Sequence, residues 1–91
     1  MELERDVEKH LLWSVERIGG LCIKHGRDGW PDRLVMFPDG TLVWAELKRK
    51  TGYESDLQMY RATQLAKVKQ IVVCLYSKEE VDRFVWEHTE K

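Results

Sequence analysis

The chain has 91 residues, 43% of them apolar and 34% charged, with a formal net charge of −1. That length predicts one domain, residues 1–91, with a thin core, and the composition excludes a disordered chain. No apolar run is long enough to span a bilayer, and the charged opening MELERDVEKH lacks a signal peptide's apolar stretch, so a cytoplasmic protein with no membrane role is expected.

Residues 3–18 read as an amphipathic helix. Leu3, Val7, Leu11, Val15 and Ile18 recur at four- and three-residue steps and form one stripe, which Gly19-Gly20 ends. LCIKH (21–25) is a short strand, and GRDGWP (26–31) a loop. DRLVMF (32–37) and 41–48 are strands joined by Pro38-Asp39-Gly40, where Pro sets φ, Asp caps locally and Gly accepts positive φ. An antiparallel hairpin follows. Ser55-Asp56-Leu57-Gln58 has the capping-box form and opens a helix near 56 that runs to about Lys67. The continuous apolar run QIVVCLY (70–76) reads as a central strand buried on both faces. Ser77 caps a last helix carrying Val81, Phe84 and Val85. The hairpin-helix-strand connection is a crossover, so the sheet is mixed and the fold class α/β.

Charge is unevenly spread. Residues 1–19 and 71–91 each hold three basic and five acidic side chains, while 20–70 holds nine and six. A positive middle suits a phosphate backbone locally, as well as an ordinary solvated surface. Lys24, Arg27, Arg33, Arg49, Lys50 and Arg61 are the candidate DNA contacts, with Lys67 and Lys69 behind them. Cys22 and Cys74 lie far apart among apolar neighbours, without zinc-finger spacing, and are expected to be reduced.

Counting outward from the Asp39-Gly40 turn brings Asp32 and Glu46 nearly opposite each other on adjacent strands. Alternation puts Glu46 and Lys48 on one face, with Leu47 pointing away. Two carboxylates and an ammonium thus converge at the hairpin end remote from the turn. Paired carboxylates hold a hard cation such as Mg²⁺, with Mn²⁺ as a substitute, and the Leu47 carbonyl is a further available ligand. Such an ion activates water and neutralises charge on a phosphodiester, and a lysine beside it orients or deprotonates that water or stabilises the transition state.

These residues resemble a known family. Pro31-Asp32 followed by Glu46-Leu47-Lys48 resembles the PD…ExK signature of the restriction-endonuclease-like nucleases. Gly29-Trp30-Pro31-Asp32-Arg33 resembles the G-x-PD-R segment of the virus-type replication-repair nuclease (VRR-NUC) domains. Gln58, twelve residues after Glu46, falls where those domains carry a glutamine at the start of the next helix. Glu4-Arg5-Asp6-Val7-Glu8 resembles their first helix, which opens on a glutamate and ends in a glycine, here Gly19.

The resemblance, over residues 4–76, implies a restriction-endonuclease-like αβββαβ core with a mixed central sheet flanked by helices. It also implies metal-dependent phosphodiester hydrolysis in replication or repair. Carried over residue by residue, it makes Asp32 and Glu46 metal ligands, Lys48 the catalytic lysine and Glu4 the helix carboxylate completing the site, with Glu8, one turn on, as the alternative. Gln58 would line the catalytic site, although its capping role alone also accounts for it. Small stand-alone members, typical of phages, look like homo-oligomeric endonucleases acting on four-way (Holliday) junctions, with a homodimer or higher homo-oligomer supplying two active sites. The alternatives are a flap- or duplex-nicking endonuclease of the same chemistry and a non-catalytic DNA-binding module that keeps the fold.

Two features depart from the family pattern. Val68-Lys69-Gln70 stands where members often carry a glycine before the last core strand. A second Pro-Asp pair, Pro38-Asp39, also precedes Glu46, but belongs to the hairpin tip. Trp30, beside Asp32, either packs or stacks on a base. Trp13, Trp44 and Trp86 are assigned to the core or to a subunit interface.

Overall fold

The computed structural model describes residues 3–48 and 54–89. The elements follow as α1 (Glu4–Arg17), β1 (Leu21–Lys24), β2 (Arg33–Met36), β3 (Leu42–Leu47), α2 (Asp56–Lys67), β4 (Ile71–Leu75) and α3 (Lys78–Thr89). Every expected element is present, with ends trimmed by a residue or so. The result is an α/β fold on a mixed four-stranded sheet.

Strand order is β1-β2-β3-β4. β1 pairs antiparallel with β2, β2 antiparallel with β3, and β3 parallel with β4 through the α2 crossover. Residues paired across strands share a face, so Cys22, Val35 and Val43 line one side, joined by Ala45, Leu47 and Leu75. α1 and α3 cover that side with Val7, Leu11, Val15, Val81, Phe84 and Val85, and these residues together form the core. Each fully buried Val or Leu contributes about 1.5–3 kcal/mol. The opposite side, carrying Trp44, Glu46 and Cys74, faces α2 and is only partly covered.

Local signals explain the boundaries. α1 stops where Gly20 N donates to the Val15 carbonyl at 3.0 Å. A Cβ on Gly20 would lie 2.7 Å from the Met36 carbonyl oxygen, so this approach of helix end to strand requires glycine. α2 opens with the complete capping box of Ser55 and Gln58. Ser77 Oγ accepts from Glu80 N at 3.1 Å and caps α3.

The structure corrects the reading of 70–76 as a central strand. β4 is the edge of the sheet among the described residues; Ile71 is exposed, and only Leu75 is buried. A continuous apolar run marks a strand but not its neighbours, and here just one flank of β4 finds a partner. β3, which reads less uniformly apolar, is the most buried strand. Trp13 and Trp86 are likewise exposed, not core residues.

Candidate active site

The hairpin sets the geometry. Its turn closes through Phe37 N to the Thr41 carbonyl at 2.8 Å and Gly40 N to the Phe37 carbonyl at 2.9 Å, so Asp39 lies at the tip. The ladder then runs from Met36↔Leu42 to Arg33↔Ala45. The ladder ends at Arg33↔Ala45, so the next residue, Asp32, leaves it on the Glu46 side, close to the register expected from counting. Asp32 lies just past the end of β2, where its Oδ2 accepts from Leu47 N at 2.8 Å and its carbonyl accepts from His25 N at 2.9 Å. Its side chain thus takes a backbone donor of β3 and is aimed by it.

Glu46 is buried at 1% exposure, and its Oε1 has no hydrogen-bond partner among the described residues. Burial, with the negative charges of Glu54 and Asp32 added, outweighs the attraction of Lys48 and pushes its pKa up to about 7. Beside it, Cys74 Sγ donates to Glu54 Oε1 at 3.0 Å and lies 4.0 Å from Glu46 Oε2. Burial, followed by the hydrogen bond and charge of Glu54, pushes the Cys74 thiol up to about 12. Glu46, Glu54 and Cys74 bring ligand atoms within 4.8 Å of one another. A buried carboxylate with an orphaned oxygen among other acids fits a divalent cation, which would supply the missing positive charge.

The N-terminus of α2 closes the site. Lys48 N donates to the Leu75 carbonyl at 3.0 Å, pinning the end of β3 to β4. Lys48 Nζ then donates to Gln58 Oε1 at 2.9 Å, the same oxygen that accepts from Ser55 N at 2.9 Å. Gln58 therefore caps its helix and contacts Lys48 at once. The loop before Asp32 packs on this helix end as well. Gly29 has φ +80°, and a Cβ there would run into the Leu57 side chain.

The remaining residues are placed as follows. Glu4 is exposed in the first turn of α1. Glu8 accepts from Arg33 Nε at 2.7 Å and Lys24 Nζ at 3.1 Å. Burial would raise its pKa, but Arg33 and Lys24 together hold it below the usual carboxylate range. Arg33 also donates to the Cys22 carbonyl at 3.1 Å, so its guanidinium is held inside the fold. Lys24 and Arg27 are exposed. Arg61 lies 4.9 Å over the Trp30 ring, which packs with Trp44 and His25. Trp30 thus packs, with a cation on its face. Arg49 and Lys50 lie outside the described residues. Cys22 and Cys74 are free thiols, as expected.

Sequence reasoning missed Glu54 and Cys74. Cys74 pairs with Glu46 across the parallel strands. That register is the signal, and it cannot be counted from a turn. Glu54 immediately precedes the capping box, a position that itself points to a helix entrance.

No protein-family model matches this chain. A curated relative, "Putative nuclease p44" of Acyrthosiphon pisum secondary endosymbiont phage 1, is 34% identical over 79 residues, covering 84% of this chain and 85% of that protein. A solved structure described as a "VRR_NUC domain" superposes with a TM-score of 0.83 at 30% identity, over 94% of this chain and 96% of the other.

Proposed function

The chain belongs to the virus-type replication-repair nuclease (VRR-NUC) family, a nuclease family, and on that premise we propose that it is a Mg²⁺-dependent DNA endonuclease cutting four-way junctions. The observation that carries the catalytic reading is the convergence of Asp32, Glu46 and the Lys48–Gln58 pair at one end of the hairpin.

In this reading Asp32, Glu46, the Leu47 carbonyl and Glu4 hold the magnesium ion, with Mn²⁺ able to replace it. When bound, such an ion would supply an activated water and positive charge against the phosphodiester. Lys48 orients the attacking water and stabilises the charge on the phosphoryl oxygens. Gln58 keeps the Lys48 ammonium aimed into the site. Lys24, Arg27 and Arg61, with Arg49 and Lys50, receive the DNA backbone. Arg33 was expected among these contacts, but its bonds to Glu8 and Cys22 give it a supporting role.

Symmetric cutting of a junction takes two active sites related by a two-fold axis, which a homodimer supplies. The exposed Trp13 and Trp86, lining a groove of about 480 Å³ between α1 and α3, provide apolar surface for that contact. Among the described residues no helix is long and apolar enough to cross a membrane. The proposed setting is the cytoplasm of a bacterial host, with residues 1–91 acting as one nuclease domain.

The test is cleavage of a labelled immobile four-way junction beside flap and linear duplex controls, in Mg²⁺, Mn²⁺ and EDTA, with wild type and Lys48→Ala. Paired symmetric nicks that need the ion and vanish in Lys48→Ala are expected. Cutting confined to flap or linear DNA refutes the junction specificity. Binding without any cutting refutes the enzyme.

A further inference from the structure

We propose that Glu46, Glu54 and Cys74 form a second cation site, selective for a thiophilic ion such as Zn²⁺, whose occupation takes Glu46 from the magnesium set and stops cleavage. The inhibitory half rests on the proposed function; the binding half does not.

Donor type separates this site from the magnesium set. Magnesium takes oxygen ligands, and thiolate selects zinc and softer ions. Asp32, just before β2, bonds to β3 on one side of Glu46, whereas Cys74 pairs with Glu46 from β4 on the other. Glu46 therefore stands between an all-oxygen set and a set containing sulfur.

Two separations bracket those of a tetrahedral ion. Zn–S and Zn–O bonds of ordinary length set the S···O separation at about 3.6 Å. Cys74 Sγ lies 3.0 Å from Glu54 Oε1 and 4.0 Å from Glu46 Oε2, values on either side of that separation. Three protein ligands leave a fourth position for water.

The independent sign of a ligand is Glu46 itself. Its side chain is buried; Oε2 faces Cys74, and Oε1 beside it has no partner among the described residues. An isolated buried carboxylate is costly, and a cation offsets that cost. Cys74 is partly exposed on the edge strand, so an ion can reach it. As the S–Zn bond forms, the thiol proton now shared with Glu54 leaves to solvent. No electron changes hands.

Co²⁺ reports thiolate ligation directly, through a sulfur-to-metal charge-transfer band in the near ultraviolet. Wild type titrated with Co²⁺ should develop that band at one equivalent, and Zn²⁺ should bleach it. Cys74→Ser should lose the band, while Cys22→Ser and Asp32→Asn keep it. Absence of the band in wild type, or its survival in Cys74→Ser, overturns the site whether or not the protein cuts DNA. In Mg²⁺ cleavage, Zn²⁺ should inhibit wild type at least about tenfold more tightly than Cys74→Ser. Equal inhibition of the two proteins overturns the regulatory half.

Discussion

Lys48 and Gln58 meet at 2.9 Å, through the same Gln58 oxygen that completes the capping box of α2. One acceptor therefore couples the start of a helix to the lysine of the candidate active site. A helix cap and a candidate catalytic contact share this residue.

Gln58→Ala should lower unfolding free energy by about 0.5–1 kcal/mol, the scale of half a capping box. It should also slow single-turnover cleavage, roughly tenfold, by releasing Lys48. Lys48→Ala alone should cost about 10²-fold or more. In the Lys48→Ala background, Gln58→Ala should keep its stability cost and add almost nothing to the rate loss. Urea denaturation and single-turnover rates on the same variants check this. Independent, multiplying rate losses would contradict the coupling.

Glu46 makes the metal-free protein pH-sensitive. Its folded pKa, about 7, lies above the ordinary value of 4.5. Between those values the folded state holds a proton that the unfolded state has released. Stability should therefore fall as pH rises from about 4.5 through about 7, by roughly 3 kcal/mol at most. Glu46→Gln should remove that slope, stabilise the metal-free protein at pH ~8 and abolish cleavage. Thermal melts in chelator across this range supply the comparison.

Glu8 has the opposite sign. Its pKa is held below the usual range by Arg33 and Lys24 against the effect of burial. Its contribution is present above the ordinary carboxylate pKa and is lost as pH falls through the lowered one. Glu8→Ala leaves the Arg33 side chain, 13% exposed, without its anion and should cost about 2–3 kcal/mol. Lys24→Ala, at a side chain 67% exposed, should cost less than about 1 kcal/mol. A larger loss from Lys24→Ala than from Glu8→Ala in chemical denaturation would reverse this order.

Lys69 ends α2 with φ +68°. A side chain pays about 1 kcal/mol or more for that conformation. Lys69→Gly should therefore stabilise the fold by about 0.5–1 kcal/mol, read as a higher denaturation midpoint. An unchanged or lower midpoint would count against the strain.

Much of this was legible in the chain because it is local. The α1 stripe, the Pro38-Asp39-Gly40 turn and the Ser55-Gln58 box each lie within one element or one connection. Even the long step from Asp32 to Glu46 could be counted, because a tight turn transmits its register along an antiparallel ladder. The choice between capping and site roles for Gln58 needed structure: one oxygen accepts from both Ser55 and Lys48. The pairing of Arg33 with Glu8 was not legible, because the two lie 25 residues apart on different elements.

The amino-acid order by itself determined the elements of the described residues and the hairpin register that brings Asp32 close to Glu46. Tertiary structure alone decided that β4 is an edge, that Cys74 faces Glu46, and that Glu54 joins them. The physical reason is the kind of connection. A turn of a few residues transmits register through covalent geometry, whereas a helical crossover leaves it to be chosen by packing between α2, β3 and β4.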